Sequence, residues 1–546
     1  MRMHLAEPAN IRPRAFLILI AAFVGYSCLF IYRTSFVVNG ERYFSLFDDA
    51  MISMRYARNL AHGYGLVWNP GGERVEGFTN PLWVLYMAVI HLLPLPPSKT
   101  SAVVQATAAV LLAVNLVFVR AIALEATGRS EPIALGAAAL TASYLPLNNW
   151  GLQGMEVSAL VLMVSGCLWL GLRSMRDGRF RRAPYLLLGA STLIRADMVV
   201  PLGALAVFFA VTDARHRRRH IGWTVAALLV FIGLQTALRL WYFGDVLPNT
   251  YYLKLTGYPL IWRIARGAVV TARFVWTFNV VLFAAPLVLL GRRNLRAGLL
   301  LWMFAAQLAY SVYVGGDAWE YWGGSNRYIA IAMPLFFVAL SWSLFVGGAA
   351  LVHGSGGEAA RPASRANAWV FALLIAISIF SANSIHGAGA WAEVLLVRPP
   401  LHAGSGDENN QEVEEALALR AITTEDATIA VTRAGTIPYF ADRPSIDELG
   451  KSDRHLAHEL SRVPPGWRGF LEFRPGHSKF DYRYSVDLLA PDVIVQLWDH
   501  REEVAPYLRR SYTALSITGT CVYARTASPH VRWERVSPIR CGELAP

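Results

Sequence analysis

A chain of 546 residues with 55% hydrophobic and only 16% charged side chains is not an ordinary soluble protein, because long uncharged apolar runs recur through most of it. The formal net charge of +12 would suit nucleic acid in a soluble chain, but here the arginines flank apolar spans, as membrane topology requires. That excludes a nucleic-acid partner and identifies a polytopic α-helical protein whose solvent is largely the lipid bilayer.

The N-terminus carries Arg12 and Arg14 ahead of an apolar run of roughly 22 residues, longer than a signal-peptide core and without a small-residue cleavage site, so it reads as a retained anchor. The basic flank places the N-terminus in the cytoplasm and delivers Asp48 and Asp49 to the outer side. The next basic run, Arg173 to Arg182, must also be cytoplasmic. Four apolar segments lie between, near 81–94, 101–120, 132–148 and 155–172, one more than parity allows. Pro81 to Pro94 is the shortest, about 14 residues against the roughly 20 a span needs, and is read as a juxtamembrane or re-entrant helix. Asn148, Asn149, Trp150, Gln153 and Glu156 then share the outer side with the carboxylate pair.

Residues Ala183 to Val211 are basic at both flanks, which predicts a short helical hairpin with Arg195-Ala196-Asp197 at its turn. Such groups are costly in a membrane unless paired or facing a wet cavity, so they form a structural ion pair or line a polar pocket. Further on, 221–243 crosses outward and Gly244 to Arg273 form an outer loop with an amphipathic stretch bearing Arg263, Arg266 and Arg273. Segments near 275–291, 297–314, 328–349 and 368–386 complete about eleven crossings, with Gly315 to Arg327 as a second polar outer loop. This defines a transmembrane domain over residues 1–386 with its first outer loop at 37–100.

Residues 387–546 change character. Ala427 to Val431 and Asp492 to Val495 look like short buried strands among helix-forming and turn-rich stretches, which predicts a small extracytoplasmic α/β domain. Cys521 and Cys541 fall within it and are disulfide candidates in an oxidising compartment. No His and Cys cluster has zinc spacing.

Two carboxylates beside a membrane can act as general base on a hydroxyl, orient it, or hold a divalent cation against a phosphate. Adjacent acids also occur simply as helix N-terminal residues or surface pairs. Lys254 is one of four lysines in the chain and stands beside Tyr251 and Tyr252, near the three arginines of the amphipathic stretch. That group suits a phosphate at the interface, or interfacial anchoring alone. The second loop, with Asp317, Trp319, Glu320, Tyr321 and Trp322 ahead of Arg327, offers acids and aromatic faces that suit sugar rings, or an aromatic belt.

The stretch Asp48-Asp49-Ala50-x-Ile52-Ser53-x-Arg55-Tyr56-Ala57-Arg58-Asn59-Leu60, followed by His62-Gly63-x-Gly65-Leu66-Val67-x-Asn69-Pro70-Gly71 and Glu73-Arg74-Val75-Glu76-Gly77-x-Thr79-Asn80-Pro81-Leu82-Trp83, resembles the first outer loop of bacterial GT-C membrane glycosyltransferases. The branch it is most similar to contains the terminal arabinofuranosyltransferase of the mycobacterial cell wall. Gly154-Met155-Glu156, the Leu-Pro-Asn-Thr loop with Lys254, Gly315-Gly316-Asp317 with Arg327, and Ala434-Gly435-x-Ile437-Pro438-Tyr439 also fit.

The resemblance implies transfer of a sugar, arabinofuranose as the first choice, from a polyprenyl-phosphate donor to a glycan or lipid acceptor outside the inner membrane. It implies Asp48 and Asp49 as catalytic acids, with Asp48 on the acceptor hydroxyl and Asp49 shaping the loop or holding a cation. Lys254, Arg327 and Arg263 are then expected on the donor phosphate. Arg55, Tyr56, Glu76, Asn80, Glu156, Arg195, Asp197, Asn249, Asp317 and Trp319 are expected around the sugar or acceptor. Arg195-Ala196-Asp197 stands where some relatives carry an Arg-Pro-Glu-like element, and metal use varies among branches, so a divalent cation is an option rather than an expectation. The competing functions are a lipid-linked sugar transporter, which would place ionisable groups at the midplane, and a glycan-binding or assembly protein without catalysis.

Overall fold

A computed structural model describes residues 13–292, 294–318, 320, 326–353, 365–384, 406–463, 466, 469–470 and 473–536. Every apolar segment expected to cross is helical. Among the described residues seven helices are long and apolar enough to span a bilayer: Arg14–Thr34, Pro97–Thr127, Val157–Asp177, Arg217–Phe243, Leu295–Val314, Met333–Ala350 and Arg365–Asn383. The other expected crossings are shorter, namely Glu131–Ala142, Ala183–Ser191, Val199–Thr212 and the segment after Asn279. The chain is thus a multi-pass helical membrane protein whose full-length spans among the described residues number seven, or eight with a bent pair, against the roughly eleven crossings read from apolar runs.

Three local features bear on the site. Pro81–His91 has 11 residues, about 16 Å of helix, too short to span. Its Leu82 N–H donates to the Leu193 carbonyl at 2.9 Å, which lays it against the turn between Ala183–Ser191 and Val199–Thr212. That turn carries Arg195 and Asp197, so the hairpin forms as its basic flanks imply. The third feature is a correction: the amphipathic stretch does not end at Arg273 but runs as one helix, Leu260–Phe278, before a 103° bend. Asn279 makes the bend, with a φ of 85° and a side chain that accepts from the N–H groups of Val281 and Leu282. It stops one helix and caps the next.

The first loop opens with an antiparallel hairpin, β1 (Phe36–Val38) and β2 (Glu41–Tyr43), followed by the helix Asp48–Ala61. The C-terminal region folds around a five-stranded sheet of β3 (Ile429–Val431), β4 (Ser445–Asp447), β5 (Val493–Ile494), β6 (Tyr512–Ile517) and β7 (Thr520–Arg525), in the order β4-β3-β5-β7-β6. β3 pairs in parallel with β4 and β5, and the β6–β7 hairpin adds on antiparallel. Alternation along β3 sends Ile429 and Val431 into an apolar core shared with the first loop and the helices, while Ala430 packs beneath Val504 and Leu508 on the other face. One face of the domain is therefore continuous with the membrane body.

Candidate active site

The helix Asp48–Ala61 explains the geometry. Eleven of its 14 residues are buried, including Asp48, Arg55 and Arg58, and burial of so many charges is tolerable only where each has a partner. The C-terminal domain supplies most of them. Arg55 donates to the carbonyls of Trp68 (2.6 Å), Arg443 (2.8 Å) and Pro438, and to Asn69 Oδ1 at 2.7 Å. Arg58 donates to the Tyr439 carbonyl at 2.7 Å and lies over its ring at 5.0 Å. The Asp48 Oδ1 accepts from the backbone N–H groups of Gly435 (3.0 Å) and Thr436 (2.9 Å). A Cβ on Gly435 would lie 2.0 Å from the Asp48 carbonyl oxygen, so only glycine permits this approach. The Ala434–Tyr439 motif is thus a dock for the first loop.

One residue on, a turn of about 100° aims Asp49 elsewhere. Its Oδ1 lies 3.1 Å from Lys451 Nζ and its Oδ2 lies 3.2 Å from Arg327 Nη2. Arg327 is fixed by Asp317, with Nε to Oδ2 at 2.8 Å, and by the Trp150 ring 5.1 Å away. Burial works to raise the Asp49 pKa, but Lys451, Arg327 and Lys254 outweigh it and hold the carboxyl well below the usual range. Asp48 shifts the other way, raised chiefly by burial in spite of Lys451 and the Thr436 N–H. Lys254 is close enough to feel Asp49, Arg327, Lys451 and Asp317, and burial followed by Arg327 brings its pKa down to about 8. Among the described residues no hydrogen bond or ion pair is made by its ammonium.

Beside this cluster lies a second. Arg195 pairs with Glu156 at 3.2 Å and Asp197 at 2.7 Å, and stacks over the ring of Tyr328, the residue after Arg327, at 4.9 Å. The other Glu156 oxygen accepts from Asn80 Nδ2 at 2.9 Å, and Asn80 Oδ1 accepts from Ser53 at 2.9 Å.

Several expected site residues have their side chains engaged with groups outside the two ionic clusters. Glu76 is paired with Arg239, with Arg239 Nη2 to Oε1 at 3.2 Å. Tyr56 donates to the Val75 carbonyl at 2.8 Å. Arg263 stacks on Tyr313 at 5.1 Å, and its Nε is buried without a hydrogen-bond partner among the described residues. Asn249 Nδ2 donates to the carbonyls of Gly450, Lys451 and Asp453, each at 3.0 Å. Trp319 lies outside the described residues. Cys521 is disulfide-bonded, and Cys541 lies outside the described residues.

Two residues near Asp49 were not anticipated. Lys451 carried one usable signal, the rarity of lysine in a chain with 50 Lys and Arg together and only four Lys. His477 carried none; burial first, then Lys451, lowers its pKa to about 3, so it stands neutral beside the cluster. Among the described residues no group of three or more His, Cys, Asp or Glu side chains is arranged to hold a metal ion.

Comparison with known proteins fits this arrangement. Residues 403–533 match a family described as a domain of unknown function, DUF8728. Over 220 residues the chain is 30% identical to the terminal beta-(1->2)-arabinofuranosyltransferase of Mycobacterium tuberculosis, covering 38% of this chain and 34% of that protein. The match therefore spans about a third of that relative's length. Among solved structures, ArnT from Cupriavidus metallidurans in the apo state superposes with a TM-score of 0.56 at 13% identity, covering 94% of this chain and 98% of that one. The same protein bound to undecaprenyl phosphate gives 0.52 at 13% identity, covering 94% and 99%. The Archaeoglobus fulgidus oligosaccharyltransferase in the apo form gives 0.53 at 12% identity, covering 96% and 76%. The fold is the GT-C-like one that the first-loop motif resembles.

Proposed function

We propose that this chain is a membrane glycosyltransferase that moves a sugar, arabinofuranose first, from a polyprenyl-phosphate donor to a hydroxyl of a cell-envelope glycan or lipid on the outer side of the inner membrane. The observation that carries this reading is Asp49, a carboxylate at a helix N-terminus set between Arg327 and Lys451, with Lys254, whose ammonium has no partner among the described residues, close enough to act on it. Similarity to the mycobacterial enzyme supports the choice of sugar. The likeness to ArnT, a protein crystallised with undecaprenyl phosphate, supports a lipid-phosphate donor. The C-terminal domain, docked on the first loop, would then lie outside the membrane with it.

In this reading the acceptor oxygen attacks the anomeric carbon as the bond to the phosphate oxygen breaks, and that oxygen leaves with the electron pair. Lys254 stabilises the charge it gains, while Arg327, paired with Asp317 and Asp49, holds the carboxylate in place. Asp49 accepts a hydrogen bond from the acceptor hydroxyl and takes its proton late, once the attacking oxygen has become strongly acidic; a carboxylate of depressed pKa suits that timing. Asp48, bonded to Gly435 and Thr436, anchors the loop, which exchanges the two roles expected from sequence. The test is transfer from polyprenyl-phosphate sugars by purified protein, comparing wild type with Asp49→Asn and Asp48→Asn. Undiminished transfer by Asp49→Asn would falsify the assignment of Asp49, and a wild type inert toward every lipid-linked donor would favour a non-catalytic glycan-binding protein.

A further inference from the structure

Lys451 belongs to the C-terminal domain, yet it reaches the carboxylate of the first loop. Its placement is over-determined. Gly450 before it has a φ of +75°, and a Cβ there would meet Leu456 Cβ at 2.9 Å and the Ala457 nitrogen at 3.0 Å, so the turn accepts only glycine. Asn249 ties the same turn down through three carbonyls. That asparagine opens the short helix Asn249–Leu255, which also carries Lys254. One helix therefore places both lysines.

An ammonium has three N–H groups to give. Among the described residues Lys451 is shown spending one of them, on Asp49 at 3.1 Å, and its side chain is only 8% exposed. Lys254 is shown spending none. Arg327, by contrast, is committed to Asp317 and Asp49. Lys254 bears the repulsion of Arg327 and Lys451 with only part of it offset by Asp49, whereas Lys451 is held charged by Asp49, Asp48 and Asp447 in spite of its burial.

We propose that Lys451 and Lys254 together form the seat for the phosphate of the lipid-linked donor, so that the C-terminal domain supplies half of the leaving-group site. The proposal rests on the lipid-phosphate reading above. The donor is a phosphodiester with one negative charge; when its bond to the sugar breaks, the carrier becomes a phosphomonoester that can carry two. A second cation favours the charge that appears during the reaction over the charge present before it, which is where catalysis gains. This gives a role to a domain whose matching family is described as a domain of unknown function.

The test is binding of polyprenyl phosphate, and of uncharged polyprenol as its control, to the full chain in nanodiscs. Lys451→Met keeps the apolar stem and should weaken polyprenyl phosphate binding by about thirtyfold or more while leaving polyprenol unchanged. Lys451→Arg should recover part of the loss. The double variant Lys451→Met with Asp49→Asn should stay weak if the ammonium touches phosphate. Wild-type affinity in Lys451→Met, or its return in the double variant, would overturn the proposal, the latter because Lys451 would then merely neutralise Asp49. A wild type that binds both lipids alike would overturn the lipid-phosphate reading itself, which is a separate failure.

Discussion

The two ionic clusters beside the first loop both pair an arginine with two carboxylates, and they differ in the lysines that only one of them adds. In the Arg195 cluster each carboxylate shown is met: Glu156 by Arg195 and Asn80, Asp197 by Arg195. In the Asp49 cluster, Asp49 and Asp317 pair with Arg327 and Lys451, and among the described residues the Lys254 ammonium nearby has no partner. A closed buried network specifies a packing arrangement. One with cations to spare is prepared for an anion. On that difference the Arg195 cluster holds the hairpin against the first loop, and the Asp49 cluster is the one to which the proposed function gives the chemistry.

The most direct way to break the comparison is to treat both clusters alike. Asp49→Asn should lower kcat per folded molecule by about a hundredfold to ten-thousandfold, the range for losing a positioned acid or base, whatever the broken pairs with Arg327 and Lys451 cost in stability. Arg195→Met should act on stability alone. It strands the Glu156 and Asp197 carboxylates, and breaking a buried pair costs about 3–5 kcal/mol, read as a lowered unfolding midpoint with turnover per folded molecule largely kept. Equal losses of turnover from both variants would erase the distinction.

Lys254 sharpens it further. Lys254→Ala should reduce kcat by about a hundredfold. With its pKa lowered to about 8, the lysine is an ammonium below that pH and neutral above it, so kcat/KM for the donor should fall as pH rises through about 8. Lys254→Arg, whose charge persists across this range, should keep activity on the alkaline side. An alkaline limb unchanged in Lys254→Arg would assign the titration to another group.

Much of the membrane body was legible because apolar runs bounded by arginines report crossings directly. The hairpin turning at Arg195, the short helix after Pro81 and the distinct C-terminal domain all followed from flanks and lengths. The end of the amphipathic stretch was placed too early, at Arg273, since Asn279 makes the 103° bend through its own backbone and side chain and no flanking charge marks it. The site was half legible. The first-loop motif located both acids, but partners such as Lys451, 402 residues from Asp49, depend on how the domain docks. Sequence adjacency also hid the fact that the two acids point in different directions.

That last point yields the smallest expected effect and the one that separates the acids most cleanly. Asp48→Asn keeps an oxygen that can accept from the Gly435 and Thr436 N–H groups, losing only the charge assistance, worth about 1 kcal/mol. Burial already disfavours the charged form here, which offsets part of that loss. Turnover should therefore fall less than about tenfold, with the domain still docked. Asp48→Ala, which leaves both N–H groups without that acceptor, should loosen the docking, and protease sensitivity between the helices and the C-terminal domain should report it. If Asp48→Asn instead matched Asp49→Asn in turnover while leaving docking intact, the acceptor-facing acid would be Asp48 and the roles assigned here would revert.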